Sequence, residues 1–184
     1  MTLAWMFYAL IVAVCRAYMR ASASAGDGSL SVAMARVNDL LHEDIPDGRF
    51  VTAAVGVLDP SRSQMQLISA GQAPLLFYQV STDTVHNWDA DDLPLGIMGG
   101  LTFEDVRTID FATGDALVLT TDGFFEWSNR DNEQFGTRRM VDFVKENHDL
   151  SAHEFIARLY ETVLEHASGT EQADDLTAVV IKKV

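Results

Sequence analysis

The sequence predicts a layered α+β fold with a mainly antiparallel sheet. Three features point to it. Apolar residues recur at helical spacing in two segments at each end of the chain, while the middle reads as strands. Turn signals between those strands are close enough for hairpins. No linker, repeat or low-complexity tract interrupts the 184 residues, so 1–184 is expected to be a single domain. Helices grouped outside a run of hairpins give the α+β class.

Residues 3–21 predict a first helix, and Ser22 to Gly28 a small-residue loop. Leu30, Ala33, Met34, Val37, Leu40 and Leu41 form one apolar stripe of a second helix, with Asp27 or Ser29 as its cap. Pro46, Asp47 and Gly48 predict a turn. Residues 50–58 read as a strand buried on both faces. Asp59-Pro60-Ser61-Arg62 is a turn, and 64–70 returns antiparallel. Residues 75–80 form the next strand. A polar loop with Asp83, Asn87, Asp89, Asp91 and Asp92 follows, and then a glycine-rich loop over 94–100. Strands are expected at 103–111 and 116–121, and Asp122-Gly123 ends the second abruptly. A helix over 137–147 turns Met140, Phe143 and Val144 inward. Ser151 and Glu154 carry a capping-box pattern for a helix with Phe155, Ile156, Leu159, Val163 and Leu164 on one side. Gly169 ends it, and 176–181 is the last strand.

A formal charge of −14 disfavours nucleic acid and anionic membrane as direct partners, since both are negative. The same excess of acid also serves solubility. Cys15 is the lone cysteine, which excludes a disulfide framework and a paired-cysteine metal site and is consistent with the cytoplasm. Met1 to Cys15 is almost wholly apolar but shorter than the roughly 20 residues of a spanning helix. It lacks a basic start, so a buried or partner-covered helix is expected rather than a membrane anchor. The five histidines show no zinc spacing. Trp5, Trp88 and Trp127 read as packing residues, Arg138 and Arg139 as helix surface charges, and Asp89, Asp91 and Asp92 as a solvated loop.

Asp122 falls just past one apolar strand, and Asp174 and Asp175 just before another. If those strands pair antiparallel, Asp122 and Asp174 converge at one rim of the sheet. Converging carboxylates repel unless a cation lies between them, and oxygen donors suit Mg²⁺ or Mn²⁺. Gly123 would let the backbone turn sharply and approach closely there. Asp-Gly is also a common turn, and acids at strand ends are commonly just solvated.

Thr121-Asp122-Gly123-Phe124-Phe125-Glu126, Phe135-Gly136 and Asp174-Asp175-Leu176-Thr177 resemble the later motifs of the PPM phosphatases, in the bacterial branch of stage II sporulation phosphatase E and the sigma-B stress regulators. Phe50-Val51-Thr52, Leu58-Asp59, Ala70-Gly71-Gln72-Ala73-Pro74 and Pro94-Leu95-Gly96 follow that family's order and spacing, with Gln72 where the family often has histidine. The resemblance implies an α-β-β-α sandwich and hydrolysis of phosphoserine or phosphothreonine by metal-activated water. It implies Asp122 and Asp174 as metal ligands, with Thr121, Gly123 and Asp175 supporting them. It implies Mn or Mg, two ions in the complete family site and fewer or none here. A phosphoprotein, such as an anti-sigma-factor antagonist, would be the substrate.

The family's earlier Gly-Asp-x-x-Gly-His-Gly segment has no counterpart in Met1 to Tyr8, which holds no acid, glycine or histidine. Either the chain is a truncation, or it is a natural partial domain, incomplete at its N-terminal edge. An exposed sheet edge would then invite a homodimer. The competing function is a catalytically impaired pseudophosphatase that acts as an interaction module.

Overall fold

The computed structural model describes residues 2–25, 29–46, 48–172 and 174–184, with side chains over 9–22 and from 29 on. Two compact units emerge, one from Met1–Gln72 with Ala90–Ile109 and one from Ala73–Asp89 with Asp110–Val184.

The first unit opens with α1 (Thr2–Ala25), which runs through most of the loop expected at 22–28. Ile11, Val14, Cys15, Tyr18 and Met19 lie a helical turn apart and pack onto this unit's core. Burial pushes the Cys15 thiol up from its ordinary value. Leu10 and Val12, on the other face, are exposed. No helix among the described residues is long and apolar enough to cross a membrane.

In α2 (Leu30–Asp44), Met34, Val37 and Leu41 are fully buried, as the stripe requires. Ser29 takes the N-cap position without a side-chain capping bond, and Asp27 lies outside the described residues. The expected turn closes through Arg49 N–H to the Pro46 carbonyl at 3.1 Å, Asp47 being outside the described residues.

A three-stranded sheet follows in the order β1 (Ala53–Asp59), β2 (Gln64–Ala70), β5 (Arg107–Asp110). The hairpin β1–β2 is antiparallel, from Ala53↔Ala70 to Asp59↔Gln64. Its turn is held by Asp59 Oδ1, which accepts from Ser61 N, Ser61 Oγ and Arg62 N. The strand expected at 50–58 is not buried on both faces. As the edge strand β1 has one neighbour, and Val57 and Leu58 are exposed. Strand β5 is shorter than the expected 103–111.

The second unit holds a four-stranded sheet, in the order β4 (Thr84–Trp88), β3 (Leu75–Gln79), β6 (Ala116–Thr120), β7 (Ala178–Lys182), with every pairing antiparallel. Strand β4 lies in the segment expected to be polar loop. Its composition is polar, but Phe77 on β3 stacks on Trp88 at 5.4 Å between ring centroids and on His86 at 6.3 Å. Cross-strand pairing overrides the local signal.

Alternate residues of β3 and β6, Leu76, Tyr78, Ala116 and Val118, face a core completed by α3 (Asp122–Glu126), α4 (Gly136–Glu146) and α5 (Ala152–Ala167). Met140, Phe143 and Val144 point inward from α4, as expected. The capping box at Ser151 and Glu154 is complete: the Ser151 side chain accepts from Glu154 N, and the Glu154 side chain from Ser151 N. Phe155, Leu159 and Val163 are buried on α5, but Leu164 is 42% exposed and stands outside the apolar face.

Candidate functional site

Strand β6 is buried at four of its five positions. Its C-terminal end pairs with the start of β7 through Thr120↔Ala178. The chain therefore delivers Asp122 and the segment before Ala178 to one end of this sheet. Two β-branched, apolar strands with breakers just beyond them suffice to place the acids there.

A hydroxyl extends the ladder past the last strand residues. Thr121 N donates to the Thr177 carbonyl at 3.0 Å. Thr121 Oγ1 accepts from Thr177 N at 3.0 Å and donates to the Asp175 carbonyl at 3.1 Å. This uses both the donor and the acceptor capacity of the hydroxyl and staples the two acidic segments together. Immediately beyond it, α3 begins at Asp122.

Gly123 is buried, and a Cβ there would lie 2.5 Å from the Asp175 carbonyl oxygen. The expected close approach is thus made against the neighbouring acidic segment. Asp174 Oδ1 accepts from Asp175 N at 2.7 Å, and the Asp174 carbonyl accepts from Gln172 Nε2 at 2.7 Å. Asp122, Asp174 and Asp175 are all exposed.

Among the described residues, no group of three or more His, Cys, Asp or Glu is placed to hold a metal ion. The donor chemistry at this rim still fits a hard divalent cation. Such ions are commonly held by one or two carboxylates, with water and phosphate filling the other positions. Asp122 and Asp174 are the residues that could supply those carboxylates.

Sequence reasoning gave Thr177 no role beyond its motif, although its backbone completes the staple. It also missed Asp115, a 2%-exposed acid whose oxygens accept from Val80 N and Ala112 N, each at 2.8 Å. That acid fixes the turn leading into β6. A third omission is Asn38 in the first unit, fully buried on α2. Its Oδ1 accepts from Gly96 N at 2.9 Å and its Nδ2 donates to the Met98 carbonyl at 3.0 Å, which pins the Pro94-Leu95-Gly96 loop. An isolated asparagine in a helical stripe carries no signal of such a role.

Of the acids expected in a solvated loop, Asp89 is exposed, whereas Asp91 and Asp92 are partly enclosed. Asp91 is 8% exposed in its side chain and binds Arg107 at 2.5 Å. Asp92 Oδ2 is buried with no hydrogen-bond partner among the described residues. Desolvation, then the charges of Asp105 and Asp91, push its carboxyl up. Arg139 forms a surface pair with Glu133 at 2.5 Å and donates to the carbonyls of Gln134 and Phe135, each at 3.0 Å.

A family model described as Stage II sporulation protein E (SpoIIE) matches residues 4–184. Protein IcfG of Synechocystis sp. is 25% identical over 169 residues, covering 88% of this chain and 26% of that protein. Phosphoserine phosphatase RsbU of Bacillus subtilis is 22% identical over 153 residues, covering 83% of this chain and 45% of that protein. The chain thus spans less than half the length of these curated relatives. The SiaA-PP2C domain of Pseudomonas aeruginosa superimposes with a TM-score of 0.80 at 19% identity, over 95% of this chain and 69% of that one, and so shares its fold.

Proposed function

The chain belongs to the stage II sporulation protein E family, and on that premise we propose that residues 1–184 act as one phosphatase domain that hydrolyses phosphoserine or phosphothreonine on a regulatory protein in bacterial signalling. The motif resemblance and the α+β fold agree with this reading. So does the name of the relative RsbU, a phosphoserine phosphatase. The observation that carries it is the Thr121 staple, which ties Asp122-Gly123 to Asp174-Asp175 at one end of the second unit's sheet.

Asp122 and Asp174 would hold a divalent cation, Mn²⁺ or Mg²⁺. When bound, such an ion supplies an acidified water and charge neutralisation for the phosphoryl group. The chain's own residues set the geometry. Thr121 locks the register of the two segments. Gly123 lets the start of α3 press against the Asp175 carbonyl, so that the Asp122 carboxylate issues from a fixed backbone. The Asp174 carboxylate is oriented by the Asp175 N–H. A phosphoprotein such as an anti-sigma-factor antagonist is the substrate class, reached from the cytoplasm.

Hydrolysis of a phosphoserine peptide should require Mn²⁺ or Mg²⁺ and fall about 100-fold or more in Asp122→Asn. Turnover that persists with chelator, or that is unchanged in Asp122→Asn, would sink the reading.

A further inference from the structure

Beside the acidic rim, the second unit carries a groove of about 520 Å³ whose apolar wall has no part in the proposed reaction. Its volume lies within the roughly 300–1,000 Å³ of ligand pockets. Ile156 and Tyr160, one turn apart on α5, form one wall, with Phe124 of α3 and Leu176 facing the same space. Their neighbours Phe155 and Leu159 anchor that stretch of α5 in the core, so the wall is held rigidly. Tyr160 is nonetheless 44% exposed.

The groove is continuous with the proposed site, because Asp175 lines it and Asp174 adjoins Asp175. Its charge has one sign. Asp175 is the charged group of the lining, exposed Glu171 and Asp174 lie alongside, and no lysine or arginine contributes to the lining. A wall of aliphatic and aromatic carbon beside carboxylates selects an occupant that is apolar at one point and cationic at another.

We propose that this groove takes an aliphatic side chain of the phosphoprotein substrate, lying close in sequence to the phosphorylated residue, in a segment that also carries a lysine or arginine. The proposal rests on the phosphatase reading for the identity of its occupant. An extended chain advances about 3.5 Å per residue, so the side chain that enters a groove adjoining the rim lies within about two residues of the phosphate.

The test uses fluorescein-labelled phosphoserine peptides, read by anisotropy without added metal. One set places leucine at each position from two before to two after the phosphoserine, with one lysine constant. The matched set has glycine instead of leucine. The wild-type protein should bind the best leucine peptide about 10-fold more tightly than its glycine partner. Ile156→Ser and Tyr160→Ala should each bring that ratio close to one, whereas Tyr160→Phe should keep it. Circular dichroism melts identify any variant that has merely unfolded, and either variant alone suffices.

Equal affinity of the two sets for the wild type, or no measurable binding, overturns the groove. So does a leucine preference that survives in both folded variants. Hydrolysis of p-nitrophenyl phosphate with Mn²⁺ separates the two readings. A leucine preference without hydrolysis leaves the groove standing and removes the phosphatase, while hydrolysis without the preference does the reverse.

Discussion

Strands β1 and β6 have similar apolar sequences and opposite fates. Strand β6 lies between β3 and β7, and four of its five residues are buried. Strand β1 is an edge strand, with three of its seven residues exposed. Apolar composition made both look like core. What separates them is the number of neighbours, a property of the sheet rather than of the segment. The difference bears on the proposed site, because the acidic rim grows out of the end of β6. A ligand-holding carboxylate gains precision when the backbone beneath it cannot move.

The largest expected effect tests that contrast directly. Leu117→Ala on β6 should cost about 2–5 kcal/mol in urea unfolding, since Leu117 is fully buried. Val57→Ala on β1 should cost about 0.5 kcal/mol or less, because a half-exposed side chain leaves little cavity. A comparable cost at both positions would show that the outward face of β1 is covered in solution.

Gly123→Ala comes next. The new methyl would meet a backbone oxygen, which cannot swing away as a side chain could. Overpacking of this kind costs about 1–3 kcal/mol. Activity with Mn²⁺ should fall further than stability does, because the displaced segments carry Asp122 and Asp174. Activity that simply followed the folded fraction would separate the close approach from catalysis.

Much of this arrangement was legible in the sequence, for physical reasons that can be traced. The hairpin at 59–64 was readable because an aspartate and serine turn acts locally. The capping box on α5 involves side chains only three residues apart. The delivery of Asp122 and of the segment before Ala178 to one end of the sheet needed one further assumption, that two apolar strands pair, and β6–β7 pairing satisfies it. Strand β4 was illegible because its support comes from Phe77, across the sheet rather than along the chain. Asn38 and Asp115 were illegible for the same reason: each has a partner far along the chain, Gly96 at 58 residues and Val80 at 35. Polarity alone reads as exposure, and only the fold supplies the backbone groups that satisfy a buried polar side chain.

The capping box gives a smaller effect. Ser151→Ala removes the acceptor for Glu154 N and should destabilise the protein by about 1 kcal/mol. The loss should appear as a lower melting temperature with unchanged metal dependence, because α5 is seated by Phe155, Leu159 and Val163 whether or not its first turn frays.

The smallest effect lies in the first unit and has a distinctive pH dependence. Burial, followed by the charges of Asp105 and Asp91, holds the Asp92 carboxyl above its ordinary value of 3.8. The folded protein therefore binds this proton more tightly than the unfolded chain does. The stabilisation from that preference is complete below 3.8 and is lost as pH rises through the raised folded value. At neutral pH the wild type holds a charged Asp92 whose Oδ2 is enclosed without a hydrogen-bond partner among the described residues. Asp92→Asn removes that charge and keeps the shape, so it should raise the melting temperature at pH 7, by on the order of 1–2 °C. The gain should shrink as pH falls and vanish once Asp92 is protonated in both states. A gain that stays constant with pH would assign the cost to the enclosed oxygen rather than to its charge. A loss at pH 7 would mean that the carboxylate is satisfied in solution, and that the first unit, like the second, completes its buried acids.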